Sequence, residues 1–159
     1  MKLQDIMVEE VIQISPEESV GEAARRMREK SVGCLIATVD GTVKGLITDR
    51  DLLGCLDERH DPYQCKVLSH MSQPVTVLPP EDDIATAVDV MHTRRIKRLP
   101  IARHEKLLGI VSLSDLAAVA HDQVEKLWPS WMLITTLIAA DDAHARGWKV
   151  SSKSSATKR

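Results

Sequence analysis

The chain repeats itself once without a gap, so any fold it adopts must accommodate two copies of one unit. Gly45-Leu46-Ile47-Thr48-Asp49-Arg50-Asp51-Leu52 returns 64 positions later as Gly109-Ile110-Val111-Ser112-Leu113-Ser114-Asp115-Leu116. The same spacing pairs Met7 with Met71, Val11 with Val75, Pro16 with Pro80, Ala23 with Ala87, Met27 with Met91 and Leu35 with Leu99. Two copies are too few for a solenoid, whose units need several neighbours to bury a core. They predict a pseudo-symmetric pair with a cleft between related halves. A length of 159 residues fits one compact domain or two small ones packed together.

Each copy reads as strand, helix, strand, strand, helix. Val11 to Ile14 is a short β-branched run that predicts a strand. Ser15-Pro16-Glu17-Glu18 predicts a helix start, with Ser15 as cap, Pro16 in the first position and Glu18 closing a capping box. Val20, Ala23, Ala24 and Met27 follow at helical spacing on one face, and Gly33 stands where that helix should end. Cys34–Val39 and Val43–Ile47 predict a hairpin across Asp40-Gly41, and Thr48 opens the second helix. In the second copy Val75–Leu78 is the strand, Glu81, Asp82 and Asp83 fall in the first helical turn, and Ile84, Ala87, Val88 and Met91 form its apolar face. Arg98–Arg103 and Leu107–Val111 are the hairpin, and Ser112 opens the last helix. The expected fold class is therefore α/β, with residues 1–60 and 61–124 as two repeats packed as one module and a connection over 54–70.

The core must be built from Val, Ile, Leu, Ala and Met, because Phe is absent. A net charge of −2 argues against nucleic acid, which calls for a basic face. No segment reaches the apolar length of a membrane span, and the start of the chain, Met1-Lys2-Leu3-Gln4-Asp5, has no apolar core of signal-peptide length. Three cysteines without a framework spacing fit a reducing cytoplasm. A C-terminal helical extension is expected over 125–147, with Trp131, Ile134 and Ile138 buried, and a disordered tail over 148–159.

The chain resembles a tandem pair of cystathionine-β-synthase-type (CBS) domains, a Bateman module, over roughly residues 3–122. The family motif runs Gly, hydrophobic, any, hydrophobic, Thr or Ser, two residues, then Asp or Asn. Gly45…Thr48…Asp51 and Gly109…Ser112…Asp115 both fit it. Ile96-Lys97-Arg98-Leu99-Pro100-Ile101 resembles stand-alone prokaryotic members in particular. The resemblance implies that Asp51 and Asp115 accept from ribose hydroxyls, that Thr48 and Ser112 sit near a first phosphate, and that strand backbone and apolar side chains hold an adenine. It places ligand contacts at Gly45, Ile47, Thr48, Arg50, Asp51, Thr76, Val77, Lys97, Arg98, Pro100, Gly109, Val111, Ser112 and Asp115. General chemistry agrees: a carboxylate receives two donors from a diol, a helix N-terminus favours phosphate, and glycine allows close approach of a ligand to backbone. Thr48-x-x-Asp51 and Ser112-x-x-Asp115 are equally capping boxes by pattern, and both jobs can coexist.

The two copies differ in charge. Arg94, Arg95, Lys97 and Arg98 stand where the first copy has Lys30, Ser31, Gly33 and Cys34. Either these cations reach ligand phosphates or they are a solvated helix end. The family implies a non-catalytic sensor for an adenine nucleotide or S-adenosylmethionine, a homodimer formed through helices, no obligatory cofactor, and output to a separate effector protein. An alternative is an interaction module with a vestigial cleft. A third is a metal- or redox-responsive protein using Cys55, His60, Cys65 and His70, which fall every five residues. All four types bind zinc, but neither pair has the short spacing of common zinc sites and Asp61-Pro62 reads as an ordinary loop, so no metal is expected. No nucleophile, base and orienting group form a catalytic signature.

Overall fold

The computed structural model describes residues 1–122. The helical extension expected over 125–147 and the tail over 148–159 lie outside the described residues. Strands β1 (Gln13–Ile14), β2 (Cys34–Val39), β3 (Thr42–Thr48), β4 (Arg98–Arg103) and β5 (Lys106–Ser112) alternate with helices α1 (Val20–Lys30), α2 (Asp49–Asp57), α3 (Ile84–Arg94) and α4 (Leu113–Asp122). The strands form one mixed sheet in the order β1-β2-β3-β5-β4, with β1 parallel to β2 and the other pairs antiparallel. This is the α/β arrangement expected from the repeat.

Both hairpins turn through two residues of positive φ. Asp40 (51°) and Gly41 (72°) make one turn, and His104 (49°) and Glu105 (66°) make the other. Such turns match the twist of the flanking strands. The tips pair with each other reciprocally. Val43 N–H donates to the Glu105 carbonyl at 2.9 Å, and Leu107 N–H donates to the Gly41 carbonyl at 3.0 Å.

Two cores result, and each takes a segment from the far side of the molecule. Val67 and Met71, which open the second repeat, pack with Ile14, Ala23, Met27, Leu35, Ala37 and Ile47 of the first. Leu3, which opens the first repeat, is buried among Leu78, Ile84, Val88, Met91, Leu99 and Val111 of the second. Backbone hydrogen bonds fix both docked segments. Leu3 N–H donates to the Asp82 carbonyl at 2.8 Å and Gln4 N–H to the Pro80 carbonyl at 3.0 Å. Sixty-four positions on, Val67 N–H donates to the Glu18 carbonyl and Leu68 N–H to the Pro16 carbonyl, both at 2.9 Å.

This docking corrects the expected helix starts. Ser15 does not cap α1. Its N–H donates to Glu18 Oε2 at 2.8 Å inside a turn whose carbonyls receive the crossing segment. Ser19 is the cap instead, its hydroxyl accepting from Glu22 N–H at 3.1 Å. Glu81 and Asp82 likewise precede α3, which Asp83 caps by accepting from Thr86 N–H at 2.8 Å. Gly33 does not end α1; the left-handed residue there is Ser31 (φ 54°), matched by Arg95 (φ 54°) after α3. Ala24 is exposed rather than on the buried face, which runs through Val20, Ala23 and Met27. The strand expected over Val75–Leu78 reduces to one parallel bridge, Leu78 to Ile101, and that over Val11–Ile14 to Gln13–Ile14. The residues before each bridge turn away from the sheet and line the clefts described below.

The Asp83 cap yields a measurable pH dependence. The Thr86 N–H, then its hydroxyl, holds the Asp83 carboxyl below the usual carboxylate range. A group with a depressed folded pKa stabilises the fold above its unfolded value, about 4, and loses that contribution as pH falls through the folded value. Asp83→Ala is expected to lower stability by about 0.5–1 kcal/mol at neutral pH. Urea denaturation at a series of pH values should show the gap to wild type closing in acid.

Candidate functional site

The two motifs occupy equivalent places at the ends of β3 and β5, where each strand runs into a helix. Thr48 caps α2. Its N–H and its hydroxyl both donate to Asp51 Oδ2, each at 2.7 Å. Ser112 repeats this ahead of α4, its N–H donating to Asp115 Oδ2 at 2.8 Å and its hydroxyl at 2.6 Å. Both carboxylates are half-buried. Each therefore already works as a helix cap, with its second oxygen, Oδ1, making no hydrogen bond among the described residues. Capping and ligand recognition are compatible, because an ionised carboxylate has about four acceptor sites.

A cleft opens beside each motif. One, of about 650 Å³, is lined by the apolar Val8, Val11, Ile12, Val32 and Ile110 and by the polar Ser112, Asp115, Glu10, Lys97 and Arg98. The other, of about 570 Å³, is lined by Leu46, Pro74, Val75, Thr76 and Ile96 together with Thr48, Asp49, Arg50, Arg94, Arg95, Lys97 and Arg98. The spacing of 64 relates their walls: Val11 to Val75, Ile12 to Thr76, Val32 to Ile96, and Leu46 to Ile110.

The pseudo-symmetry breaks at the seam between the clefts. Lys97 and Arg98 line both of them, and their counterparts Gly33 and Cys34 line the first. Gly33 lies close against the Arg98 side chain. A Cβ on it would stand 3.0 Å from Arg98 Nη2 and 3.5 Å from Asp49 Oδ2. An alanine there would press the end of the Arg98 side chain aside by a few tenths of an ångström. Burial pushes the Cys34 thiol pKa up; the positive charge of Arg98 opposes this and Asp49 adds to it. Among the described residues, the smaller cleft is lined by five cationic side chains and the carboxylate of Asp49, whereas the larger is lined by two cations and two acids. Lys97 and Arg98 give both clefts a counter-charge for an anionic ligand, and the larger adds apolar walls and carboxylate acceptors suited to a ring and hydroxyls.

Of the residues implied by the resemblance, Thr48, Arg50 and Thr76 line the smaller cleft, Ser112 and Asp115 the larger, and Lys97 and Arg98 both. Asp51 holds Thr48 but is not among the residues lining the cleft, and neither is Val77, which is half-buried. Ile47 and Val111 face the two cores, and Pro100 is buried. Gly45 and Gly109 make room for the crossing segments. A Cβ on Gly45 would meet Met71 Sδ at 2.5 Å, and one on Gly109 would meet Met7 Sδ at 2.8 Å. Sequence reasoning missed Val8, Val11 and Ile12 on the wall of the larger cleft. Carrying Thr76 back by 64 would have found Ile12.

Far from the seam, Cys55, Cys65 and His70 come together around the end of α2. Burial raises the Cys55 thiol pKa to about 11, and a hydrogen bond with Cys65 adds to the rise. All three cysteines are free thiols. Among the described residues no helix is long and apolar enough to cross a membrane.

Comparison with known proteins agrees with this geometry. The CBS domain family model matches twice, over residues 3–58 and 66–122. The CBS domain-containing protein YhcV of Bacillus subtilis is 33% identical over 115 residues, covering 72% of this chain and 82% of that protein. The crystal structure of a conserved protein from Pyrococcus horikoshii superposes with a TM-score of 0.67 at 28% identity, over 75% of this chain and 91% of that one. The CBS domain pair of protein MJ0100, in complex with 5′-methylthioadenosine and S-adenosyl-L-methionine, superposes with a TM-score of 0.71 at 18% identity, over 77% and 98% of the two chains. The chain belongs to the CBS domain family, as a protein built on a tandem CBS pair.

Proposed function

We propose that this chain is a non-catalytic regulatory protein that binds a phosphorylated adenine nucleotide at the seam between its two CBS repeats. The observation that carries the reading is the placement of Lys97 and Arg98 in both clefts, each cleft beginning at a capped helix start. The apolar walls offer a surface for the base, the Ser112–Asp115 couple a partner for ribose hydroxyls, and the cations a counter-charge for phosphate. A protein of the same fold binds adenosyl ligands. The charge of the seam favours AMP, ADP or ATP over S-adenosylmethionine, whose sulfonium is cationic. Ligand would act by binding one conformation or assembly more tightly than another. The exposed Leu53 and Leu56 on α2 support assembly as a homodimer through that helix. A separate effector protein would read the change.

Isothermal titration calorimetry against AMP, ATP, adenosine and S-adenosylmethionine, after removal of co-purified ligand, tests the proposal. Nucleotides are expected to bind at least about tenfold more tightly than adenosine, a gain of about 1.4 kcal/mol from the phosphate contacts, and to weaken as salt rises. Absence of heat with every compound at two temperatures would reject nucleotide sensing and favour an interaction module.

A further inference from the structure

We propose that Cys55, Cys65 and His70 form a zinc-binding site that ties the end of α2 to the segment leading into the second repeat. The two sulfurs and a ring nitrogen of His70 all lie within 4.8 Å of one another. Cys55 has no exposed surface, and Cys65 and His70 are half-buried. The positions are 10 and 5 residues apart, which is why their order along the chain does not look like a metal site. The fold closes the distance by turning the chain back on itself after α2.

The backbone at each donor is already held. Cys55 accepts at its carbonyl from His60 N–H at 3.3 Å, Cys65 N–H donates to the Asp61 carbonyl at 3.0 Å, and His70 N–H donates to the Val67 carbonyl at 3.0 Å. The Cys65 carbonyl also accepts from Val20 N–H at 2.8 Å, which anchors the loop on α1. A tetrahedral zinc with ordinary bond lengths sets sulfur and nitrogen donors about 3.5–3.8 Å apart, so side-chain rotation closes the remaining gap. Two thiolates and an imidazole select a borderline-soft ion of the zinc type over magnesium or calcium, which take oxygen. On binding, the two thiol protons leave to solvent and the two thiolate charges balance the ion.

A second group adjoins the first at His70. His70 also belongs to a group with Glu58 and His60 whose ligand atoms lie within 4.8 Å of one another. The His60 and His70 rings meet edge to face at 6.4 Å. His60 Nδ1 is 3.3 Å from Glu58 Oε2. His60 does not share that distance with the two sulfurs, so water fills the fourth position of the zinc and the Glu58–His60 pair stands beyond His70, where a neighbouring polar group orients a ligating imidazole. The competing explanation is a pair of ordinary buried thiols, since free cysteine packs as a small hydrophobe. Packing alone gives no reason for an imidazole and a second thiol to share the same few ångströms.

The full chain, stripped of metal by a chelator and kept in reducing buffer, should be titrated with Co²⁺ and then Zn²⁺. One Co²⁺ per chain with a sulfur-to-cobalt charge-transfer band is expected, lost when Zn²⁺ displaces it. Cys65→Ser and His70→Ala should each weaken cobalt binding at least tenfold while circular dichroism keeps its wild-type form. Folded wild-type protein with free thiols and no such band overturns the proposal. So does undiminished binding in the double variant, or a Cys55–Cys65 disulfide that persists in reducing buffer. The wild-type spectrum decides the matter even where a variant fails to fold. The readout is independent of nucleotide binding, so the failure of either reading leaves the other standing.

Discussion

Replacing Leu3 with alanine is expected to destabilise the protein by about 2–5 kcal/mol. The side chain has no exposed surface and sits among the apolar residues of α3, β4 and β5. Truncation removes its transfer free energy and leaves a cavity that the surrounding helices close only in part. The backbone stays pinned by the Leu3 and Gln4 N–H groups, so the segment cannot simply slide to refill the space. Urea denaturation measures the effect as a lower midpoint at unchanged slope. Leu68→Ala, on the equivalent docked segment but 40% exposed, should shift stability by no more than about 0.5 kcal/mol. A Leu3→Ala midpoint equal to wild type would mean that the N-terminal segment does not dock on the second repeat.

Asp115→Ala is expected to weaken nucleotide binding roughly ten- to a hundredfold, because a charge-assisted contact to ribose is worth about 1.5–3 kcal/mol. The same change removes the acceptor of the Ser112 N–H and hydroxyl and so also costs about 1 kcal/mol of folding stability. The two effects separate with Asp115→Asn, whose amide oxygen can still cap α4 but carries no charge. That variant should melt close to wild type and still lose most of the affinity. Calorimetry on both variants, beside their thermal unfolding, is the measurement. Wild-type affinity in Asp115→Ala would remove this residue from the binding reading and leave it as a cap alone.

The spacing of 64 carried most of the architecture. It predicted both hairpins, and β2 and β4 lie over the residues expected of them. It also placed the two Thr/Ser–Asp couples at helix starts, because short-range patterns such as capping boxes and turn residues act within a few positions. Where the reading slipped, a distant segment had intervened. Ser15 reads as a cap in isolation, but the carbonyls of Pro16 and Glu18 are taken by Leu68 and Val67, so the helix starts only at Val20. Gly45 and Gly109, which the motif assigns to ligand contact, also make room for a methionine that arrives from the other repeat, a use that no local pattern shows.

The sequence by itself determined that there are two units, what elements each contains, and which cations distinguish the second. Those are properties of local pattern and of copy number. Tertiary structure alone decided that the first residues of each repeat complete the core of the other, that Lys97 and Arg98 serve two clefts at once, and that Cys55, Cys65 and His70 meet. No periodicity encodes these, since a buried Leu3 or Val67 has the same apolar side chain whichever core receives it. The choice is made by shape and by backbone hydrogen bonds across the whole molecule.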